Sequence, residues 1–347
     1  MKVAVLVRPR TIEIQDWQMP EPGPGEARVR VAAVGVCGSD VHYFERGRIG
    51  STVIQYPAVL GHEPSGIVDA VGPDVALNVG TRVAVEPAMV CGRCPWCLAG
   101  RSNVCSNLEF LATPPMQGIF CQYRVMPARN CVPIPEGMSL VEAAMLEPLA
   151  VGFHAVGLAR LTPGETVAVF GSGPIGLVTM LAARTTGASR IYMTDLVPAR
   201  LATAKKLGAD AVMNPADGDV AQWIENLTDG RGVDVAFECA GVQETLTHSC
   251  LAAAKCGRVV LVGIPLEDDF SIPMHKCRRK ELTMVHVRRS NGEIRAAMPL
   301  VASGRLDVKP LVTHFFPLER LAEAFALVNN YGDGVIRAVI QPNGPID

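Results

Sequence analysis

Four cysteines that lie close together in the first third of the chain have the spacing of a metal site. They are Cys91, Cys94, Cys97 and Cys105, in the pattern Cys-x2-Cys-x2-Cys-x7-Cys. Four thiolates in a short loop suit a tetrahedral zinc ion, and because the protein would fill all four positions, this zinc would be structural. An iron–sulfur cluster is an alternative, but its usual local spacing ends in Cys-x3-Cys-Pro. Free or buried thiols are the third interpretation.

A second set of metal-ligand types is spread over three segments of the first half, each beside glycine or proline. Cys37 lies in a Gly-Val-Cys-Gly-Ser-Asp segment, and His62 and Glu63 lie in a Gly-His-Glu segment. Glu147 lies in a Leu-Glu-Pro segment. One cysteine, one histidine and one or two carboxylates match a catalytic zinc site, which keeps one position open. Taken singly, the same residues are a core thiol, a hydrogen-bonded histidine and surface acids, and spacing alone leaves both interpretations open.

A glycine-rich segment in the second half indicates a dinucleotide site. Residues 171–176 read Gly-Ser-Gly-Pro-Ile-Gly and follow the strand-like run Val167–Phe170. Gly171 would make the tight turn, Gly173 would let the backbone approach a pyrophosphate, and Gly176 would allow the helix to pack closely on the strand. The phosphates would lie at the positive N-terminus of the following helix. An ordinary glycine-rich turn is the alternative.

Asp195 strengthens the dinucleotide interpretation, because it ends the next predicted strand nineteen residues after Gly176. Its carboxylate can accept hydrogen bonds from ribose hydroxyls and would repel a 2′-phosphate, so that NAD is favoured over NADP. Arg200 is close in sequence and is placed to soften this preference. The predicted cofactor-binding residues are Gly171, Gly173, Pro174, Ile175, Gly176, Asp195, Arg200 and Val262.

The elements that must position these residues follow two patterns. The first half contains short β-branched runs bounded by glycine, proline or aspartate, which favours an antiparallel, barrel-like β domain. From the glycine-rich region onward strands and helices alternate, which favours a parallel sheet with helices on both faces. The runs Val312–Pro317 and Arg337–Gln341 resemble the first half again. We therefore expect a discontinuous domain of residues 1–150 and 290–347, with a dinucleotide-binding domain of residues 151–289 between its two parts.

Composition and charge argue against several classes of protein. The 347 residues are 49% hydrophobic and 19% charged with a net charge of −2, so the chain is globular and has no excess of basic residues for general nucleic-acid binding. The N-terminal apolar run is too short for a signal peptide, and glycine and proline interrupt the uncharged segment Thr166–Ala183, which argues against a membrane span. Eleven cysteines without an export signal argue against a disulfide framework. We expect a cytoplasmic protein.

Four segments resemble the zinc-dependent medium-chain alcohol dehydrogenase family, most of all its polyol branch of sorbitol and xylitol dehydrogenases. They read GVCGSDVHYFERGRIG, PAVLGHEPSGIV, EPLAVGFHA and VFGSGPIGLV, and the similarity extends over nearly the whole chain. The resemblance implies a GroES-like β-barrel catalytic domain and a Rossmann domain with a doubly wound parallel sheet. It implies NAD, a catalytic zinc and a structural zinc as cofactors. It also implies reversible oxidation of a small-molecule polyol to a ketose by a homotetramer or homodimer.

The resemblance assigns roles to individual residues. The positions that match the catalytic zinc ligands are Cys37, His62 and Glu63. Glu147 is expected near this metal, bound to it directly or through water. The positions that match the proton relay are Ser39 and His42. The positions that match the substrate pocket are Tyr43, Phe110 and Thr113. The four-cysteine run matches the structural-zinc lobe.

One segment departs from the polyol branch. Polyol dehydrogenases usually carry Phe-Arg-Tyr after the last Rossmann strand, and this arginine contacts the substrate. Here residues 285–291 read Val-His-Val-Arg-Arg-Ser-Asn, so that Arg288 is expected to replace that arginine without aromatic neighbours. The close alternatives are an L-threonine 3-dehydrogenase and a secondary-alcohol dehydrogenase of the same fold. A zinc-binding module without turnover is disfavoured, because no zinc ligand or cofactor glycine is missing.

Overall fold

Short β-branched runs form most of the secondary structure of residues 1–147. The computed structural model describes residues 1–346 of the chain. The strands of this first part are β1 (Lys2–Arg8), β2 (Thr11–Asp16), β3 (Glu26–Gly35), β4 (Arg48–Ile49), β5 (Thr52–Val53), β6 (Glu63–Val71), β7 (Arg82–Val85), β8 (Ala88–Met89), β9 (Glu109–Phe110), β10 (Tyr123–Pro127) and β11 (Cys131–Pro133). Its helices are α1 (Gly38–Arg46), α2 (Pro95–Leu98) and α3 (Leu140–Ala144).

Strands and helices alternate in the second half, as the sequence predicts. The helices are α4 (Leu146–Ala159), α5 (Pro174–Thr186), α6 (Pro198–Lys206), α7 (Val220–Leu227), α8 (Gln243–Ala252) and α9 (Met274–Lys280). The strands are β12 (Thr166–Phe170), β13 (Arg190–Thr194), β14 (Ala211–Met213), β15 (Val233–Glu238), β16 (Ala253–Leu261) and β17 (Thr283–His286). The last part of the chain contains α10 (Ile294–Ala302), β18 (Val312–Pro317), α11 (Leu321–Asn329) and β19 (Arg337–Gln341).

Some elements differ from the sequence-based expectation. The sequence pattern predicts a helix over Thr245–Ala254, but the helix of the structure ends at Ala252, because Ala253 is extended and pairs with Val233 of β15, where β16 begins. Helix α9 is not predicted, because it buries only Cys277 and has no periodic apolar face. The segment Thr166–Ala183 is a strand, a glycine turn and a helix, as expected. Within residues 1–346, every helix is too short or too polar to cross a bilayer.

The chain divides into two compact units, each with its own sheet. The first unit comprises Met1–Glu147 and the chain from Ile294 onward. Its seven-stranded sheet has the order β11-β7-β6-β3-β19-β18, with β10 also paired to β3. The central strand β3 is antiparallel to β6 and to β19, while β18 is parallel to β19. The C-terminal strands therefore complete a sheet that the N-terminal strands begin.

Aromatic packing holds helix α1 within the first unit. The ring of Phe44 on α1 lies 5.0 Å from that of Phe325 on α11, and the ring of Phe120 lies 5.8 Å from Phe325. All three rings are buried. Tilted and edge-to-face pairs of this kind stabilise a core beyond the area that they remove from water. This packing fixes the direction of α1, whose N-cap residue is Cys37.

The second unit, Pro148–Glu293, contains a six-stranded parallel sheet. Its strand order is β14-β13-β12-β15-β16-β17, so the order reverses between β12 and β15. In doubly wound sheets ligands bind outside the carboxyl ends of the strands at such a switch point. The predicted combination of a largely antiparallel β domain with a doubly wound parallel sheet is therefore confirmed.

Replacing Phe325 with alanine should lower the free energy of unfolding by about 3–5 kcal/mol. The smaller side chain would leave a cavity and would lose the contacts with the rings of Phe44 and Phe120. Urea denaturation followed by circular dichroism measures this change. Phe315→Ala is the matched control, since Phe315 is 51% exposed, and it should change stability little. Equal losses for the two variants would contradict the assigned role of the Phe325 ring.

Candidate active site and metal centres

Cys37, His62 and Glu63 come together at one end of the first sheet. Their candidate ligand atoms all lie within 4.8 Å of one another. The pairing of β3 with β6 explains this convergence, because Gly35 at the end of β3 lies opposite Glu63 at the start of β6. Cys37 follows β3 by two residues and His62 immediately precedes β6, so the antiparallel register places both beside Glu63.

Asp40 contacts His62 and Cys37 on the side away from the candidate ligand atoms, although no motif in the sequence points to it. Its side chain is fully buried. Oδ1 accepts the Gly61 N–H at 3.0 Å and lies 3.4 Å from Nδ1 of His62, and Oδ2 accepts the Cys37 N–H at 3.3 Å. A carboxylate behind a histidine ring is the usual second partner of a metal-binding imidazole. Asp40 therefore fixes both the His62 ring and the backbone of Cys37.

Arg337 provides the positive charge beside Glu63, and the sequence analysis does not identify it either. Its side chain is 1% exposed. Nη1 donates to the Val36 carbonyl at 2.7 Å and to Oε1 of Glu63 at 2.9 Å. The two residues are 274 positions apart, and β19 brings Arg337 to β3. Removing one partner of such a buried pair leaves an uncompensated charge, which is strongly destabilising.

Glu147 lies outside the group of three, at the first turn of α4. It is buried, and its carboxyl is within electrostatic range of Glu63 and His62. Burial and the Glu63 carboxylate raise the pKa of Glu147 to about 8. Its expected alternation between direct and water-mediated contact with the metal stays a prediction.

The side chains present fit a divalent zinc ion. A thiol, an imidazole and a carboxylate are the donor types of catalytic zinc. Oε2 of Glu63 is buried, makes no hydrogen bond within residues 1–346 and lies 2.9 Å from Nη1 of Arg337, so a metal ion would share this carboxylate with the guanidinium. Burial alone would lower the pKa of His62, but the Asp40 carboxylate and the Cys37 thiol raise it well above its ordinary value. The groups that favour a charged His62 would equally favour a bound cation.

The predicted relay residues share one helix. Ser39 and His42 lie three residues apart on α1, which places them on neighbouring positions of one face, and both are half-buried. Burial and the nearby Arg46 lower the pKa of His42, so its imidazole is neutral near pH 7 and can accept a proton. Tyr43 on the same helix is buried.

Two further predicted pocket residues, Phe110 and Thr113, lie in one turn of the chain, and Phe110 is next to a candidate zinc ligand. The ring of Phe110 is 5.5 Å from that of His62, so Phe110 borders the metal group directly. Thr113 follows on the same loop and is half-buried. Its N–H donates to the Phe110 carbonyl at 3.0 Å, which ties the two residues into one turn.

The four-cysteine loop forms a second group of potential ligands. The Sγ atoms of Cys91, Cys94, Cys97 and Cys105 all lie within 4.8 Å of one another. The N–H groups of Cys91 and Asn107 each point at Sγ of Cys105 at 3.4 Å, and the N–H of Cys97 points at Sγ of Cys94 at 3.5 Å. These N–H groups favour thiolates, and those of Cys97 and Ser106 lower the pKa of Cys94 to about 6. The loop suits a tetrahedral zinc ion without a free position.

The glycine loop has the geometry that a dinucleotide site requires. Gly171 has a φ of +99°, which side chains rarely adopt, and a Cβ on Gly176 would lie 1.8 Å from the Gly171 carbonyl oxygen. Gly173 is the N-cap of α5, and a Cβ there would meet only the Arg200 guanidinium within 4 Å. The backbone at the start of α5 is therefore open to a phosphate group.

Asp195 already supports the glycine loop. Its carboxylate accepts the N–H of Ser172 at 2.7 Å and the N–H of Val197 at 2.8 Å. The guanidinium of Arg200 lies 4.0 Å from the same carboxylate. Val262 is buried just beyond the end of β16, at the carboxyl edge of the sheet. The predicted cofactor residues thus lie along the same edge of the parallel sheet.

Comparison with protein families identifies the chain. The alcohol dehydrogenase GroES-like domain matches residues 23–136, and the zinc-binding dehydrogenase domain matches residues 174–303. The chain belongs to the zinc-binding alcohol dehydrogenase family. The predicted family, the enzyme class and zinc as its metal are confirmed by these matches.

Individual relatives of this dehydrogenase cover almost its whole length. The sorbitol dehydrogenase of Bacillus subtilis (strain 168) is 39% identical over 99% of this chain and 98% of that protein. The L-idonate 5-dehydrogenase of Vitis vinifera is 38% identical over 94% of this chain and 91% of that protein. A structure of an alcohol dehydrogenase from E. coli CFT073, in complex with NADH, superposes with a TM-score of 0.90 at 29% identity, over 98% and 99% of the two chains.

Glu238 is a further residue of this dehydrogenase that the sequence analysis does not single out. It ends β15 opposite Phe170 of β12, at the point where the strand order reverses. Its buried Oε1 accepts the N–H groups of Ala240 and Gly241 and the hydroxyl of Thr245, at 2.8, 2.7 and 2.7 Å. The loop so formed packs on the glycine turn. The only signal in the sequence is an acidic residue at the end of an apolar strand.

Arg288 of the dehydrogenase lies two residues beyond β17 and is exposed. The chain turns immediately after it, because Arg289 has a φ of +56°. The substrate contact expected for Arg288 stays a prediction.

Replacing Asp40 with asparagine should weaken zinc binding at the Cys37 group about 10–100-fold, the usual cost of losing an outer-shell partner. Asparagine keeps the size and one oxygen acceptor, but it replaces the other oxygen with an N–H donor and removes the charge behind His62. Zinc release to a chromogenic chelator, followed by elemental analysis of the protein, measures the change. Asp74→Asn is the control, because Asp74 is exposed. Release as slow as in the unaltered protein would refute the supporting role of Asp40.

Proposed function

We propose that this dehydrogenase oxidises a polyol of the sorbitol, xylitol or L-iditol type to the corresponding ketose, with NAD⁺ as the hydride acceptor, in a reversible reaction. The observation that carries the proposal is the convergence of Cys37, His62 and Glu63 in a chain that also has an open glycine loop. The similarity to sorbitol dehydrogenases over almost the full length supports polyols as the substrate class.

Cys37, His62 and Glu63 would hold a catalytic zinc ion, which when bound supplies a Lewis acid that makes an alcohol hydroxyl more acidic. Asp40 keeps the His62 ring in place, and Arg337 offsets the charge of Glu63. Because both supports are buried, the ligands keep their geometry without reorganising during the reaction. Cys91, Cys94, Cys97 and Cys105 would hold the structural zinc.

Ser39 and His42 provide the route by which the hydroxyl proton leaves the site. The Ser39 hydroxyl can accept one proton while it donates another, and His42 is neutral and half-buried, with access to water. The relay needs both residues on one face of α1, and the Phe44–Phe325 contact holds that helix. Glu147, in its protonated form, is a second group that can hydrogen-bond a hydroxyl or water beside the metal ligands.

The remaining assignments concern the groups that bind substrate and cofactor. Tyr43, Phe110 and Thr113 would contact the substrate, and Arg288 would bind a polyol hydroxyl. The N-terminus of α5 would bind the pyrophosphate, and Asp195 would accept hydrogen bonds from the ribose hydroxyls. A carboxylate at this position disfavours a 2′-phosphate, which supports NAD over NADP.

The assembly and the location of the enzyme rest on the family resemblance alone. It supports a homotetramer or a homodimer in the cytoplasm. Sedimentation equilibrium of the purified enzyme tests the first statement, since a monomer at micromolar concentration would refute it.

A substrate panel tests the proposed reaction. Sorbitol, xylitol, L-threonine and 2-propanol would each be offered with NAD⁺, with and without a zinc chelator, while NADH absorbance is followed. We expect turnover that is fastest with a polyol and lost with the chelator. Cys37→Ser should abolish it, whereas Cys256→Ser should not, because Cys256 is an exposed thiol away from both metal groups. Activity on threonine or 2-propanol alone would contradict the proposal.

The carboxylate of Asp195 should set the cofactor preference. Asp195→Ala is expected to reduce the ratio of kcat/KM for NAD⁺ to that for NADP⁺ by about tenfold or more, corresponding to about 1.4 kcal/mol of lost discrimination. Asp217→Ala serves as the control, because Asp217 is exposed. Initial rates with both cofactors measure the ratio. An unchanged ratio would show that another group discriminates between them.

A further inference from the structure

A histidine–glutamate pair lies in the second unit, outside the groups described so far. Nδ1 of His154 on α4 is 2.8 Å from Oε1 of Glu293. The His154 side chain is 9% exposed and that of Glu293 is 23% exposed. Glu293 is separated from His154 by 139 positions, so the contact depends on the tertiary structure. Neither residue belongs to the candidate metal or cofactor groups.

Glu293 also binds the segment that precedes it. Its Oε2 accepts the N–H of Asn291, so the carboxylate bridges α4 and its own loop. Burial alone would raise the pKa of Glu293, but the hydrogen bonds from His154 and the Asn291 N–H lower it. The carboxylate is therefore ionised near neutral pH, and charge-assisted hydrogen bonds of this kind are stronger than neutral ones.

The segment that Glu293 holds contains Arg288. It begins where the parallel ladder ends, since the Val287 N–H donates to the Leu261 carbonyl at 2.9 Å. Arg289 has a φ of +56° and Gly292 a φ of +89°, so the backbone turns twice within four residues. A non-glycine residue in the left-handed region is unfavourable and persists where other contacts hold it. The bonds at Glu293 are such contacts.

We propose that His154 and Glu293 are a positioning pair that holds residues 287–293 in the conformation in which Arg288 binds the polyol. The inference deepens the proposed function and rests on it for the role of Arg288. His154 and Glu293 do not touch the substrate themselves. They restrict the loop in advance, so that binding does not have to order it, and this lowers the KM for the substrate without changing the chemical step.

Exchange and kinetic measurements on the purified, zinc-loaded enzyme test the pair together. In Glu293→Ala and in His154→Ala, we expect the rate of amide hydrogen exchange of residues 287–292 and the KM for sorbitol each to rise about tenfold or more. This is the scale of one hydrogen bond to a charged group. The kcat and the KM for NAD⁺ should stay within about twofold of the values of the unaltered enzyme. Glu267→Ala and His275→Ala are the matched controls, because both residues are exposed.

Conservative variants separate positioning from general damage to the fold. In Glu293→Gln the side chain keeps an oxygen acceptor. In His154→Asn the amide nitrogen falls close to the position of Nδ1. Both variants should therefore retain most of the low KM for sorbitol. The double variant Arg288→Ala/Glu293→Ala should be no worse than Arg288→Ala alone, because the pair acts through Arg288.

Several results would overturn the inference. Unchanged hydrogen exchange in the alanine variants would do so, as would faster exchange with an unchanged KM for sorbitol. A lower kcat together with a higher KM for NAD⁺ and a lower thermal stability would also do so, because it would indicate general damage to the fold. Additive effects in the double variant would also overturn it. If the unaltered enzyme oxidises no polyol, the proposed function fails by itself, and the exchange data still decide whether the pair holds the segment.

Discussion

The burial of negative charge at one end of the first sheet is the constraint on which the site depends. Asp40 and Glu63 are buried there with Arg337 and His62, and the buried Glu147 lies within electrostatic range of Glu63 and His62. Burial and the Glu63 carboxylate raise the pKa of Glu147 to about 8, so a further negative charge at this end of the sheet is unfavourable. A divalent ion held by Cys37, His62 and Glu63 would offset the negative charge of these carboxylates. The geometry of the ligands and the stability of this end of the sheet therefore depend on the same balance of buried charge.

In the second unit, backbone N–H groups lie at the candidate phosphate site. At the switch point between β12 and β15 the glycine turn must leave room for phosphate oxygens and still stay rigid. Asp195 holds the turn through the Ser172 N–H, and Glu238 shapes the neighbouring loop through three hydrogen bonds. Two acids therefore organise an anion site indirectly, because each is already engaged by backbone donors.

The segment after β17 departs from the polyol pattern, and a histidine–glutamate pair contacts the same segment. The aromatic neighbours of the expected arginine are absent, and the His154–Glu293 contact restrains the same loop. Stacking on aromatic neighbours and a charge-assisted bridge are two physical means of ordering a loop before substrate binds. Substrate preference within the polyols is therefore expected to depend on this loop more than on the metal ligands.

The parts of the enzyme whose chemistry is local can be predicted from the sequence. The cysteine run and the glycine loop are readable because all of their groups lie within one short segment, and the strand–helix alternation follows from hydrophobic periodicity. Cys37, His62 and Glu63 were grouped mainly by family resemblance, since their meeting depends on the register of β3 against β6. The groups that support these ligands become visible only in the fold. Asp40, Arg337 and Glu293 bond to residues 21, 274 and 139 positions away, so spacing does not encode their contacts. Glu238 bonds to residues two, three and seven positions away, but only the strand order places it at the switch point. The physical reason is that polar groups removed from water need partners, and the fold decides which groups are within reach.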